Sequence, residues 1–217
     1  MTCACRERAW RALAGLGAIE LPDKLTPMSA ADASKALASA YKRVTGAAAD
    51  AKLLGLLVGQ TALETGNWKS LHNWNFGNAK ATSSDPYYQN FRCWEVVGGE
   101  KVWYDAGHPA CRFAAHPTAV DGAEHYIRVL KHRPNWWDGL QTRSVEGFVD
   151  GLTKVPYAYF TADKGTYSRV LAERMGQYTS EIKAFAGTPA GMGAAVGAFA
   201  VVFGGLYLYR RSQRRAA

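Results

Sequence analysis

The sequence is short of cysteine, with Cys3, Cys5, Cys93 and Cys111 the only four among 217 residues. No C-x-x-C pair occurs, and Cys3-x-Cys5 alone offers too few thiolates for structural zinc. The histidines, His72, His108, His116, His125 and His132, include no acid-flanked pair four residues apart of the zinc-protease kind. No metal is therefore expected. No serine lies in a G-x-S-x-G elbow, and no glycine run matches a phosphate loop, so no cofactor is expected either. RNA- and DNA-binding motifs are missing, which argues against nucleic acid as the partner of a chain with net charge +8. Half of that charge is local, at Arg210, Arg211, Arg214 and Arg215, and the rest suits an anionic cell wall. The first 22 residues carry Arg6, Glu7, Arg8 and Arg11 ahead of a short apolar run, a poor match to an export signal.

What the chain does have is apolar mass and aromatics. At 48% apolar it can bury a sizeable core, which predicts one domain plus an appendage. Seven Trp and eleven Tyr suit sugar rings, although surplus aromatics also serve as core. From Leu53 to Leu63 apolar residues occupy nearly every side of a predicted helix, which should be buried almost all round. Thr65-Gly66 stops that helix, so Glu64 falls in its last turn, beside unpaired carbonyls. Burial and the helix dipole both favour a protonated carboxyl, as a general acid requires; the alternative is a terminal Glu that reaches water.

Around this helix the chain reads in order. Ser29 to Val44 is a packing helix opened by a Ser29/Asp32 capping box. Asn73 to Pro117 loses helical periodicity and is the irregular or β part. Within it, Phe91 to Val97 and Glu100 to Tyr104 form a hairpin about Gly98-Gly99, with Cys93, Glu95, Val97, Glu100, Val102 and Tyr104 on one face. Cys93 and Cys111 flank the hairpin and are read first as buried thiols, with a disulfide the alternative in an oxidising compartment. Helices follow at Thr118 to His132, Ser144 to Leu152 and, as one long element, Thr166 to Phe185. Trp136-Trp137 reads as an interhelical packing pair. Beyond Gly187-Thr188-Pro189, the run Ala190 to Tyr209 holds no charge for about 30 Å of helix, enough to cross a bilayer. Tyr207, Tyr209 and the four arginines mark an interface, and Gly193 and Gly197 offer a small-xxx-small face for self-association. A buried or glycine-rich tail is the competing reading.

The segments Glu64-Thr65-Gly66-Asn67-Trp68-Lys69-Ser70 and Asn73-Trp74-Asn75-Phe76-Gly77-Asn78-Ala79-Lys80 resemble the flagellar-type β-N-acetylglucosaminidases, glycoside hydrolase family 73 of the lysozyme-like superfamily. Lys80 falls one place later than usual in that pattern. Arg112-Phe113-Ala114-Ala115-His116 and Tyr159-Phe160-Thr161-Ala162-Asp163 before Tyr167 keep the family's order but not its spelling. The resemblance covers about Ser29 to Phe185.

It implies a mainly α (α+β) lysozyme-like domain with a small β-hairpin lobe over 29–186. Residues 1–28 are then a tail or amphipathic segment and 187–217 a C-terminal transmembrane anchor. It further implies a peptidoglycan hydrolase with Glu64 and Glu95 catalytic, Glu100 the competitor for the second role, and Ser70, Asn75, Phe76, Tyr157 and Tyr159 toward the glycan strand. Phe76 has a second reading as a core contact beneath the loop. A transglycosylase, a muramidase and a non-catalytic wall-binding or structural virion protein are the alternatives. An anchored wall enzyme without an export signal fits the virion membrane of a bacteriophage, with the bacterial envelope second.

Overall fold

The computed structural model describes residues 18–97, 100–155 and 163–187. The molecule is built around one buried helix, α2 (Ala51–Glu64), in which every residue from Leu53 to Ala62 is buried. No charge interrupts that stretch, so nothing on any side of the helix needs water. Asp50 caps its first turn by accepting from the Leu53 amide at 2.9 Å.

Before it runs α1 (Ala30–Thr45), with Ser29 accepting from the Asp32 amide at 3.1 Å and Gly46 closing the helix at φ +81. After the β region come α3 (Ala119–Lys131), α4 (Pro134–Gln141), α5 (Val145–Thr153), α6 (Lys164–Gln177) and α7 (Thr179–Phe185). Helix α1 packs on α3, α4 on α5, and α2 on α6.

The predicted long helix from Thr166 is in fact two. It starts earlier because Asp163 accepts from the amides of Gly165 and Thr166. It breaks at Tyr178 (φ −109, ψ 23), whose ring turns in against Trp68 at 5.1 Å. The stretch around Trp136 and Trp137 is itself a helix, α4, with Pro134 in its first turn; at eight residues it is too short to display a period. The pair does pack, Trp136 in the core and Trp137 stacked on Tyr41 at 6.0 Å.

Strands β1 (Ile19–Glu20), β2 (Tyr87–Asn90) and β5 (Arg112–Ala114) form one sheet in the order β1-β2-β5, parallel then antiparallel. Residues 18–28, read from sequence as tail, are therefore part of the domain. Ile19 pairs with Tyr87, Leu25 bridges to His72, and the buried Thr26 donates its hydroxyl to the Leu71 carbonyl. A strand of two residues carries no alternation from which to read it.

The hairpin β3 (Cys93–Val97) and β4 (Glu100–Tyr104) has the predicted register, with Glu95 opposite Val102 and Val97 opposite Glu100. Cys93 and Cys111 are disulfide-bonded at a Cα–Cα distance of 5.5 Å, which corrects the reading of two buried thiols. Cys93 opens β3, and Cys111 ends a short 3-10 turn, Pro109–Cys111, that packs against that strand, a closeness their separation of 18 residues did not disclose. Closing a loop of that size is worth about 3 kcal/mol. Cys93→Ser with Cys111→Ser is expected to lower stability by about that amount in denaturant titration.

A polar cluster joins the loop before β2 to α3. The buried Asp85 carboxylate meets His125 Nε2 at 3.1 Å and accepts from the Thr82 amide and hydroxyl at 2.7 and 2.8 Å. Burial acts to raise its pKa, but those hydrogen bonds outweigh it and hold the group at about 2. His116 packs on His125 at 4.6 Å with its Nε2 buried and unpartnered, and burial, then His125, push its pKa down to about 3.

The sign of the pH dependence follows. The unfolded chain protonates His116 near pH 6.5 and the folded chain near 3, so stability is lost as pH falls through that window, by up to about 5 kcal/mol. Asp85 adds a loss in the same direction between about pH 4 and 2. Melting temperature is expected to drop steeply from pH 7 to 4, and His116→Phe to flatten that slope.

Candidate active site

Glu64 is the last residue of α2, and the turn after it is unusually fixed. Gly66, Asn67 and Trp68 all take left-handed backbone, at φ +58, +58 and +59. Glycine meets that demand without cost, whereas Asn67 and Trp68 need holding. Thr65 holds them: its hydroxyl donates to the Thr61 carbonyl at 2.6 Å and accepts from the Trp68 amide at 3.1 Å. The Trp68 ring is then buried, with its indole N–H donating to Thr61 Oγ1 at 3.2 Å.

The half-buried Glu64 carboxyl group is oriented from α6. Tyr167 donates its hydroxyl to Glu64 Oε1 at 2.9 Å, and Gln60 Nε2 lies 3.5 Å from the same phenol oxygen. Tyr126, from α3, donates in turn to Gln60 Oε1. Burial pushes both phenols up, and the nearby Glu64 charge adds to the effect, so both stay protonated donors at any working pH. Asn78 Nδ2 donates to the Glu64 backbone carbonyl at 2.9 Å, tying the loop after Phe76 to the end of the helix.

Two glycines set the distance between α2 and α6. A Cβ on Gly59 would lie 2.9 Å from Leu171 Cδ1 and from Met175 Cγ and 3.2 Å from the Leu171 carbonyl, and one on Gly55 would lie 3.0 Å from Met175 Cε. The Gly55/Gly59 pair, read in the sequence only as part of an apolar helix, is what lets Tyr167 reach Glu64. Gly59→Ala is expected to cost about 1–3 kcal/mol by overpacking, and to reduce activity further than the stability loss explains as α6 moves out.

Glu95 lies on the other lobe, on β3. Its carboxylate pairs with Lys80 Nζ at 2.6 Å, and that ammonium also sits 3.9 Å over the Phe113 ring and donates to the Ala110 carbonyl. Glu100 is exposed at the hairpin's turn end. Glu64 is thus oriented by a phenol at the end of a buried helix, and Glu95, on the hairpin, is paired with a lysine.

The other expected site residues fall differently. Asn75 is buried; its side-chain amide donates to the carbonyls of Ala79 and Ala114 and its oxygen accepts from the Ala79 amide, so it clamps the loop. Phe76 is 0% exposed and supports the loop from the core, its second reading. Ser70 is exposed, its amide bonded to the Thr65 carbonyl. Tyr157 and Tyr159 lie outside the described residues.

Sequence reasoning missed Gln60 and Tyr126, and placed Tyr167 after the Tyr159 to Asp163 segment without giving it a role. A signal existed for Gln60, a polar residue four before Glu64 and so on the same face of an otherwise apolar helix. None existed for Tyr126, which looks like any amphipathic helix position.

No family model and no curated protein matches the sequence. Among solved structures, the fold is similar to a peptidoglycan hydrolase mutant from Sphingomonas sp. A1, with a TM-score of 0.50 and 22% identity over 70% of this chain and 92% of that one. It is also similar to the glycoside hydrolase domain of Salmonella typhimurium FlgJ, C-terminally truncated (TM-score 0.46, 19% identity, 70% and 99% covered). The catalytic domain of the autolysin Auto from Listeria monocytogenes gives a TM-score of 0.47 and 14% identity, with 84% and 97% covered. At 22% identity the Sphingomonas protein shares with this chain a fold: a helical domain with small sheets.

Proposed function

We propose that the chain is a glycosidase that cuts β-1,4 bonds in the glycan strand of peptidoglycan, of the β-N-acetylglucosaminidase type. The observation that carries this reading is the built surrounding of Glu64: a carboxyl at the end of a buried helix, oriented by Tyr167 through Gln60 and Tyr126. A protein that only bound the wall would not need a chain of polar side chains, two of them buried, leading to one acid, which disfavours the non-catalytic alternative. The shared fold and the Glu64 to Gly77 resemblance support the same reading, though fold alone does not carry function.

In this reading Glu64 protonates the leaving glycosidic oxygen, while Tyr167 fixes which carboxyl oxygen faces it. Glu95 is the second carboxylate, acting on water or on the positive charge that develops at the sugar. Its pairing with Lys80 keeps it aimed until substrate arrives. A muramidase or a transglycosylase would use the same Glu64. The test is release of soluble fragments from dye-labelled sacculi by the purified full chain: release supports the reading, and intact sacculi beside a folded protein overturn it.

The working place is a proposal of its own. No helix among the described residues is long and apolar enough to cross a membrane, and the run Ala190 to Tyr209 lies outside them. That run supports anchoring in the membrane of a virion, from which the enzyme meets the wall as the phage penetrates. Fractionation of purified particles tests it. The protein should follow the lipid into detergent and leave that fraction when 190–209 is deleted; finding it only in envelopes of uninfected cells contradicts it.

A further inference from the structure

The hairpin has a second face that the chemistry at Glu95 does not use. Because side chains alternate, Trp94 and Lys101 point away from the side that carries Glu95 and Val102, and Trp103 stands opposite Trp94 in the register. Both indoles are about half exposed, Trp94 at 48% and Trp103 at 50%. Lys101 Nζ lies 4.4 Å from the Trp94 ring centre and 4.6 Å from that of Trp103, and the Arg92 guanidinium lies 4.7 Å from Trp103.

Cations and indoles thus form one ladder, Arg92, Trp103, Lys101, Trp94, on the outside of a two-stranded lobe. Two large apolar rings kept in water, each beside a cation, suit a ligand with both an apolar surface and negative charge. We propose that this outer face holds a second, anionic glycan strand of the wall, alongside the strand on which Glu64 acts. The proposal rests on the peptidoglycan reading and extends it to a second contact.

Three observations favour a glycan over an anionic bilayer. Pyranose rings offer C–H faces for indoles, and wall strands bear carboxylates for Lys101 and Arg92. An acid borders the patch where a flat anionic surface would press, with Asp105 at 3.8 Å from Arg92. Finally, the Gly187 amide bonds the Ala49 carbonyl just ahead of α2, so the chain departs toward its uncharged run from the end opposite Glu64, about 20 Å along the helix. The hairpin follows the Glu64 end.

A single polymer-retention experiment decides between these surfaces. Full-length protein carrying Glu64→Gln, which retains binding without cutting, is sedimented with purified sacculi and separately with phosphatidylglycerol vesicles. Adding Trp94→Ala and Trp103→Ala is expected to weaken retention on sacculi tenfold or more, with vesicle binding unchanged. The same pair in the uncut-residue background, with Glu64 intact, should turn over a short soluble glycan oligomer within twofold of the parent. Lys101→Glu, which leaves both indoles in place, should also reduce sacculus retention and keep that turnover, and it carries the test alone where the double variant fails to fold. Undiminished retention by these variants overturns the proposal, as does a Trp-dependent loss seen only on vesicles. Failure of the parent to cut the oligomer would count against the catalytic reading and leave the retention result standing.

Discussion

Glu64→Gln is expected to lower wall lysis by about two to four orders of magnitude, the size of a general-acid contribution or more. The substitution keeps the shape of the side chain and still accepts the Tyr167 hydroxyl now bonded to Glu64 Oε1 at 2.9 Å. Its fold and melting temperature should therefore be close to those of the parent. What it loses is the proton that the leaving oxygen needs. Tyr167→Phe removes only the orienting bond and should cost less, with its effect on turnover larger than its effect on melting. Near-normal lysis by folded Glu64→Gln would remove Glu64 from the chemistry.

The second large effect concerns the hairpin acids. Glu95→Ala is expected to lower the rate by about two orders of magnitude or more, and Glu100→Ala to leave it within a few-fold. The difference comes from placement. Glu95 shares its face with the disulfide-anchored Cys93 and is gripped by Lys80 at 2.6 Å, whereas Glu100 is exposed at the turn end. Product stereochemistry refines the assignment: inversion goes with carboxyl groups about 6.5–9.5 Å apart in the working complex, retention with about 5–5.5 Å. Loss with Glu100→Ala and not with Glu95→Ala would exchange the two roles. Loss with neither would mean that one acid suffices, as in a transglycosylase.

The parts of the molecule that were legible in the sequence are those encoded by repetition or by local chemistry. An unbroken apolar stretch from Leu53 to Leu63 means a helix buried on all sides, and Thr65-Gly66 means an end, so Glu64 could be placed before any coordinate was known. Capping residues Ser29, Thr118 and Ser144 likewise mark the helix starts that the structure has. The hairpin register follows from Gly98-Gly99 and the two-residue period of a strand. What was not legible depends on neighbours distant in the chain. Strand β1 exists only because Tyr87 and Tyr88 lie beside it, and the disulfide only because the turn Pro109–Cys111 packs against β3.

The site divides in the same way. The acid and its helix are local, but the Tyr126-Gln60-Tyr167 network joins three helices, and only the fold brings its members within hydrogen-bond distance. Asn75 and Phe76 show the converse. The Asn75 side chain is spent on backbone carbonyls and that of Phe76 on the core, so both shape the loop. Lys80, which the spacing placed one position late, still reaches the hairpin acid because its long side chain spans from the β-bridge at Phe113 to Glu95.

The central claim is that this chain breaks glycosidic bonds in peptidoglycan, and mass spectrometry of the fragments it releases from purified sacculi, with and without borohydride reduction, tests it most directly. The account predicts saccharide-peptide fragments whose new ends are reducible N-acetylglucosamine, absent from the Glu64→Gln digest. Fragments cut only in the peptide stems, or none at all from a folded protein, would contradict it.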